Sequence, residues 1–174
     1  GIAFLHSATI GMIPWIGVHR EAFRTLPLRD RWRAIARAAR AALTHETVPI
    51  RFESDRGSAE ARTLCAVIAN NPLNRHAHVD FGRASLDAGA LALYLSTHHG
   101  IAGRLLLLLS LATGQLEVDH RFRKAAVRAL TIESGRKSVM VSVDGEIMRF
   151  APPIEFRQHP RGLTMLIPEP PETP

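Results

Sequence analysis

The feature that most constrains this chain is a change of hydrophobic period. From Val48 onward, short apolar segments alternate residue by residue and are separated by turn residues. Side chains on successive strand positions point to opposite faces, so such segments must line sheets. VPIRFES (48–54) and EARTLCAVIANN (60–71) read as strands joined across Asp55-Arg56-Gly57-Ser58, and the second ends at Asn70-Asn71-Pro72. GALALYLSTH (89–98) reads as another strand. KAAVRALTIES, RKSVMVSV, EIMRF, PIEFRQ and LTMLIP follow, with turn signals at Ser134-Gly135, Asp144-Gly145, Pro152-Pro153 and Pro160-Arg161-Gly162. Many short strands at near-regular spacing predict a mainly β fold, a two-layer β-sandwich.

Two helices are expected beside the sheets. Trp32, Ile35, Ala36, Ala39, Ala42 and Leu43 recur at helical spacing within Leu28–Leu43, while Arg29, Arg33, Arg37 and Arg40 gather opposite them. That basic face reads first as a solvated helix surface and second as a face for anionic lipid headgroups. Gly100–Thr113 reads as a buried or docking helix. Its run IAGRLLLLLSLA is shorter than the roughly 20 apolar residues that span a bilayer. Leu105–Leu109 are expected to pack against the sheet rather than line a lipid pocket. GIAFLHSATIG, without a basic leader, reads as the start of a strand.

At 174 residues and 46% hydrophobic content, the chain is one domain's worth with a sizeable core. The net charge of +6 favours anionic partners. With 7 Phe, 2 Trp and 1 Tyr and no aromatic–basic interleaving on a strand, nucleic acid ranks last among them. The one cysteine, Cys65, excludes an internal disulfide, fits a reducing compartment and reads as a buried small hydrophobe. Residues 169–174, EPPETP, have the composition of a disordered tail.

Signatures of the Walker, GxGxxG, GxSxG and HExxH types are missing from the sequence. His76/His78 and His98/His99 read as loop histidines before metal ligands, since zinc sites pair tighter spacings with cysteine or acidic partners. Two acidic spots remain, Asp87 at the entry to a strand and Asp144-Gly145-Glu146 at a hairpin tip. Carboxylates at such a tip could serve a hard cation and phosphate oxygens, although spacing alone favours a plain turn.

The order of these pieces resembles the C-terminal domain of the diacylglycerol kinase and sphingosine kinase superfamily, above all the bacterial soluble lipid kinases. AFLHSATIG is similar to that family's opening F-x-N-x-A-x-x-G, with His6 in the Asn place. Asn70-Asn71 matches its Asn-rich corner, and VSVDGE, PPIEFRQHP and LTMLIP follow in the family's order. Where the family has D-D-G-x-L-D, this chain has Asp87-Ala88-Gly89-Ala90-Leu91-Ala92, which leaves Asp87 as a weak metal candidate.

The resemblance implies that residues 1–168 form the lipid-binding sandwich of a two-domain, ATP-dependent lipid kinase. The nucleotide-binding domain, with its GGDGT-type motif, would lie outside this chain. It also implies that Asp144 and Glu146 face the phosphates and Mg²⁺ of ATP, and that Asn70 and Asn71 serve the substrate or the structure. The complete enzyme would phosphorylate a diacylglycerol-like hydroxyl, working in the cytoplasm at the membrane periphery, and this chain alone would be inactive. A homodimer is left open. The alternatives are a stand-alone lipid- or membrane-binding sandwich without catalysis, and an NAD-kinase-like domain.

Overall fold

Two segments that read as single long strands each turn a corner and pass from one sheet to the other. A computed structural model describes residues 1–24, 27, 30, 33, 36, 39–40, 42–54, 57–72, 89–113, 121–160 and 162. In it, residues 57–70 divide at Leu64 into β3 (Gly57–Thr63) and β4 (Cys65–Asn70). Residues 122–133 divide at Arg128 into β6 (Phe122–Val127) and β7 (Ala129–Glu133). The other strands are β1 (Ser7–Gly11), β2 (Val48–Ser54), β5 (Leu91–Ser96), β8 (Val139–Val143), β9 (Glu146–Phe150) and β10 (Ile154–Arg157).

One sheet has the order β6-β5-β4-β1-β8-β9 and the other β10-β7-β2-β3. Every pairing is antiparallel. The expected β-sandwich is therefore present. The chain also changes sheet from β1 to β2, from β7 to β8 and, at the Pro152-Pro153 turn, from β9 to β10. The expected strand at 163–168 and the tail beyond it lie outside the described residues.

Alternation along each strand sorts the core into two layers. Ala8 and Ile10 of β1, Ala66 and Ile68 of β4 and Leu91, Leu93 and Leu95 of β5 face the smaller sheet. There they meet Val48, Ile50, Leu130, Ile132, Ile154 and Phe156. Cys65, Val67, Ala69, Ala92 and Tyr94 point the other way, into a second cluster with Met12, Ala42, Leu64, Leu107 and Phe122. Strands covered on both faces read as continuous apolar runs, which is why CAVIAN and LALYLS look uniformly hydrophobic. Cys65 is fully buried in the second layer, as a small hydrophobe.

Among the described residues three helical stretches belong to that outer layer, one more than the sequence led us to expect. The addition is Met12–Arg24, which follows β1 without a break and packs over β1, β8 and β9. Pro14 and Gly17 within it, and the β-branched Ile13, Ile16 and Val18, give it low intrinsic helicity. Packing of Met12, Ile13, Trp15 and Ile16 against the sheet overrides that preference. In the 28–43 segment, described residues 30, 33, 36, 39, 40, 42 and 43 are helical, and Thr44 continues the helix. Ala42 is buried as expected, but Ala36 and Ala39 face outward, a displacement that costs alanine little.

The Leu64 corner is held by its neighbours. Met12 N donates to Leu64 O at 2.9 Å, and Thr63 Oγ1 donates to Cys65 O at 2.6 Å. Gly11 lies directly beneath it with φ of 92°. A Cβ there would press into the Leu64 carbonyl oxygen and come within 3.1 Å of Cys65 Cα. Only glycine fits both the backbone angle and the approach. Gly11→Ala is expected to destabilise the fold by more than about 2 kcal/mol, read as a lowered urea midpoint with unchanged m-value.

Candidate functional site

The Asp144-Gly145 tip is a two-residue loop, since Val143 pairs directly with Glu146. Asp144 has φ of 48° and Gly145 φ of 95°. Positive φ at both positions is the type I′ geometry whose twist suits a hairpin, and Asp-Gly is among its preferred pairs. The turn reading of this triplet therefore holds, and the carboxylate does more than fill it.

Asp144 Oδ1 accepts from His6 N and Ser7 N, each at 2.9 Å, and Oδ2 accepts from Leu5 N at 2.6 Å. Asp144 N in turn donates to Ser7 O at 2.9 Å. Asn70 completes the clamp from the opposite side. Its backbone N donates to His6 O at 2.9 Å, and its Nδ2 donates to Leu5 O at 3.3 Å. Thus Asp144 and Asn70, far apart in sequence, meet around the backbone of residues 5–7. Asn70 Oδ1 is buried there without a hydrogen-bond partner among the described residues.

These bonds decide what Asp144 has to offer. Partial burial acts to raise its pKa, but the backbone donors at Leu5, Ser7 and His6 outweigh it. Aided by the charge of the His6 ring, they hold the carboxyl below the usual carboxylate range. Of a carboxylate's roughly four acceptor positions, three are taken by backbone N–H groups. One position on Oδ2 remains, so Asp144 fits a metal poorly. Glu146 stands exposed at the first position of β9, and its carboxylate suits a cation held largely by water and phosphate.

The other candidates separate. Asn71, 2% exposed, takes φ of 68° and turns the chain out of β4, its N–H donating to Ala90 O at 3.0 Å. Left-handed geometry is tolerated by asparagine, which accounts for the residue at that corner. Asp87, His76, His78, Arg29 and Arg37 lie outside the described residues. Arg33 and Arg40 are exposed on the basic helix. His98 is buried, its Nδ1 2.9 Å from Ser96 Oγ and its ring edge-on to Phe122, whereas His99 is exposed. Among the described residues no three His, Cys, Asp or Glu side chains converge as a metal group.

The expectation for Leu105–Leu109 needs correction. Leu107 is fully buried and Leu108 partly so, but Leu105, Leu106 and Leu109 are exposed. One helix can turn only one side toward the sheet, and a run of five leucines leaves some outside. No helix among the described residues is long and apolar enough to cross a membrane, which says nothing of a β-barrel.

No family model matches the chain. Its fold is similar to a solved structure titled "A putative diacylglycerol kinase from Bacillus anthracis str. Sterne". The match has a TM-score of 0.53 and 16% identity, and covers 87% of this chain and 49% of that one. A second structure, of "a putative diacylglycerol kinase from Bacillus anthracis str. Sterne", matches at a TM-score of 0.49 and 17% identity, over 90% and 53%. The chain thus spans about half the length of the solved structures it matches. The fold is the one that the order of motifs led us to expect.

Asp144→Asn keeps the tolerance for positive φ but removes the charge and sets an N–H₂ group against the Leu5 amide. It is expected to lower stability by about 1–3 kcal/mol. Because the folded pKa is depressed, the contribution is complete above the unfolded carboxylate value, near 3.9, and is lost as pH falls through the folded value. Denaturation from about pH 7 down to pH 2 should show the wild-type advantage constant above about pH 5 and shrinking below about pH 4. An advantage independent of pH would show that the carboxylate charge is not what holds the strand.

Proposed function

We propose that this chain is the lipid-binding half of an ATP-dependent lipid kinase, acting on the hydroxyl of diacylglycerol or a similar lipid. The observation that carries the reading is the fold shared with the Bacillus anthracis protein over 87% of this chain. The order of His6, Asn70-Asn71 and Asp144-Gly145-Glu146 along that fold supports it. ATP would be bound mainly by a second domain, consistent with a chain spanning about half of its structural match.

In this reading the two acids of the hairpin divide their work. Asp144 fixes the tip to β1, and Glu146 projects from that fixed tip toward the phosphates. Phosphoryl transfer depends on positioning and charge more than on covalent chemistry by the protein. As the lipid oxygen bonds to phosphorus and the bond to the leaving ADP breaks, the hydroxyl proton has to go somewhere. In this reading Glu146 Oε takes it. Mg²⁺, when bound, would neutralise charge on the transferring phosphoryl group.

The test uses the complete polypeptide, with ATP, Mg²⁺ and diacylglycerol dispersed in detergent. Glu146→Gln is expected to cut kcat by about 10²–10⁴-fold while leaving the thermal midpoint unchanged. Asp144→Asn should instead lower the midpoint, with a smaller loss of turnover. Normal turnover in Glu146→Gln would remove Glu146 from the mechanism. Absence of transfer to any lipid hydroxyl by the wild-type polypeptide would sink the kinase reading.

A further inference from the structure

The Gly100–Thr113 helix presents a problem that the fold alone does not solve. Apart from Arg104 and Ser110 its body is apolar, as a helix buried nearly all round would be, yet one side is uncovered. Toward the sheet it turns Gly103 and Leu107. A Cβ on Gly103 would lie within 3.3–3.4 Å of His98, so the helix sits close. On the opposite side Ile101 is 69%, Leu105 51% and Leu109 58% exposed, with Leu106 at 39% beside them. Ile101, Leu105 and Leu109 recur every fourth residue, forming a stripe about 12 Å long.

On one flank the helix meets the end of the 28–43 segment. Arg104 reaches across and donates to Leu43 O, which ties this helix to the end of the basic one. One turn before that end, Arg40 is exposed, and its carbonyl accepts from Thr44 Oγ1 at 3.2 Å. Arg33 is exposed two turns earlier on the same side. On the strand side, Lys124 of β6 lies over the Tyr94 ring at 5.7 Å, on the sheet face that the helices cover. An apolar ridge with exposed cations on the neighbouring elements is complementary to a surface that is negative outside and hydrocarbon within.

We infer that the Ile101/Leu105/Leu109 stripe is the element by which this domain docks on an anionic bilayer, inserting side chains while Arg33, Arg40 and Lys124 meet headgroups. The helix lies on the surface and does not cross it. The inference deepens the lipid-kinase reading and rests on it for its purpose, but the docking can be measured without any phosphoryl transfer.

The probe is co-sedimentation of the chain with vesicles of phosphatidylcholine, alone or with about one-third phosphatidylserine. Wild type is expected to partition onto the anionic vesicles at about 0.1 M NaCl and to lose about tenfold in affinity near 0.5 M. Leu105→Asp/Leu109→Asp should lose on the order of a hundredfold on both vesicle types, with an unchanged thermal midpoint because both positions are exposed. Arg33→Gln/Arg40→Gln should abolish the preference for anionic over neutral vesicles. Undiminished binding by the leucine variant, or no binding by wild type, would overturn the assignment. So would a wild-type dimer in light scattering that the leucine variant disperses, which would assign the stripe to a second copy of this chain. Transfer to detergent-dispersed diacylglycerol by the complete polypeptide needs no bilayer. Its persistence without vesicle binding would refute docking alone, and its absence alongside vesicle binding would refute the kinase reading alone.

Discussion

The carboxylate of Asp144 receiving the backbone amides of residues 5, 6 and 7 is the contact on which the larger sheet depends. β1 lies in the middle of that sheet, between β4 and β8, although it stands at the beginning of the sequence. Short strands of this kind fray at their ends unless polar backbone groups find partners. Here Asp144 answers the donors and Asn70 the acceptors, so the start of β1 is fixed from both sides. The position of the hairpin tip, and with it Glu146, follows from the same bonds.

Around that strand the two sheets are joined by chain that belongs to both. The passages at Leu64 and Arg128 run directly from a strand of one sheet into a strand of the other. The backbone at each is secured from another part of the chain: Leu64 O by Met12 N, and Arg128 O by Gln158 N at 3.0 Å. Strands that change sheet through a bend are a known way of making the corners of packed sheets. Helices then cover the outer face of the larger sheet, while the smaller one leaves Arg51 and Glu60 paired across its exposed side.

The strands, the Asp144-Gly145 turn and the Gly100–Thr113 helix were legible because each has a local cause: period two, positive φ, and a long apolar run. The corners were not, because EARTLCAV and KAAVRALT pass through the bend with no Gly, Pro or Asn to mark it, and nothing local distinguishes a bent strand from a straight one. Gly11 carried the missing signal, but its reason is the Leu64 carbonyl, distant in sequence. The Met12–Arg24 helix was hidden by Pro14 and Gly17, since its helicity comes from the sheet beneath it. At the candidate site, the sequence pointed to Asp144 and Asn70 through family resemblance. It could not reveal that both serve the backbone of residues 5–7, since that is a matter of three-dimensional register. Which leucines of the run face outward was equally a question of how the helix is turned.

The central place of β1 also bears on how the chain acquires its shape during synthesis. Ser7–Gly11 pairs with β4 and then with β8, whose residues Val141–Val143 follow it by more than 130 residues. The ribosome releases the first strand long before its second neighbour exists, and contacts of such sequence separation form slowly. Until then one edge of β1 stands open to other strands, a condition that invites chaperones or mispairing. The inner strand must stay available to a partner that arrives more than 130 residues later.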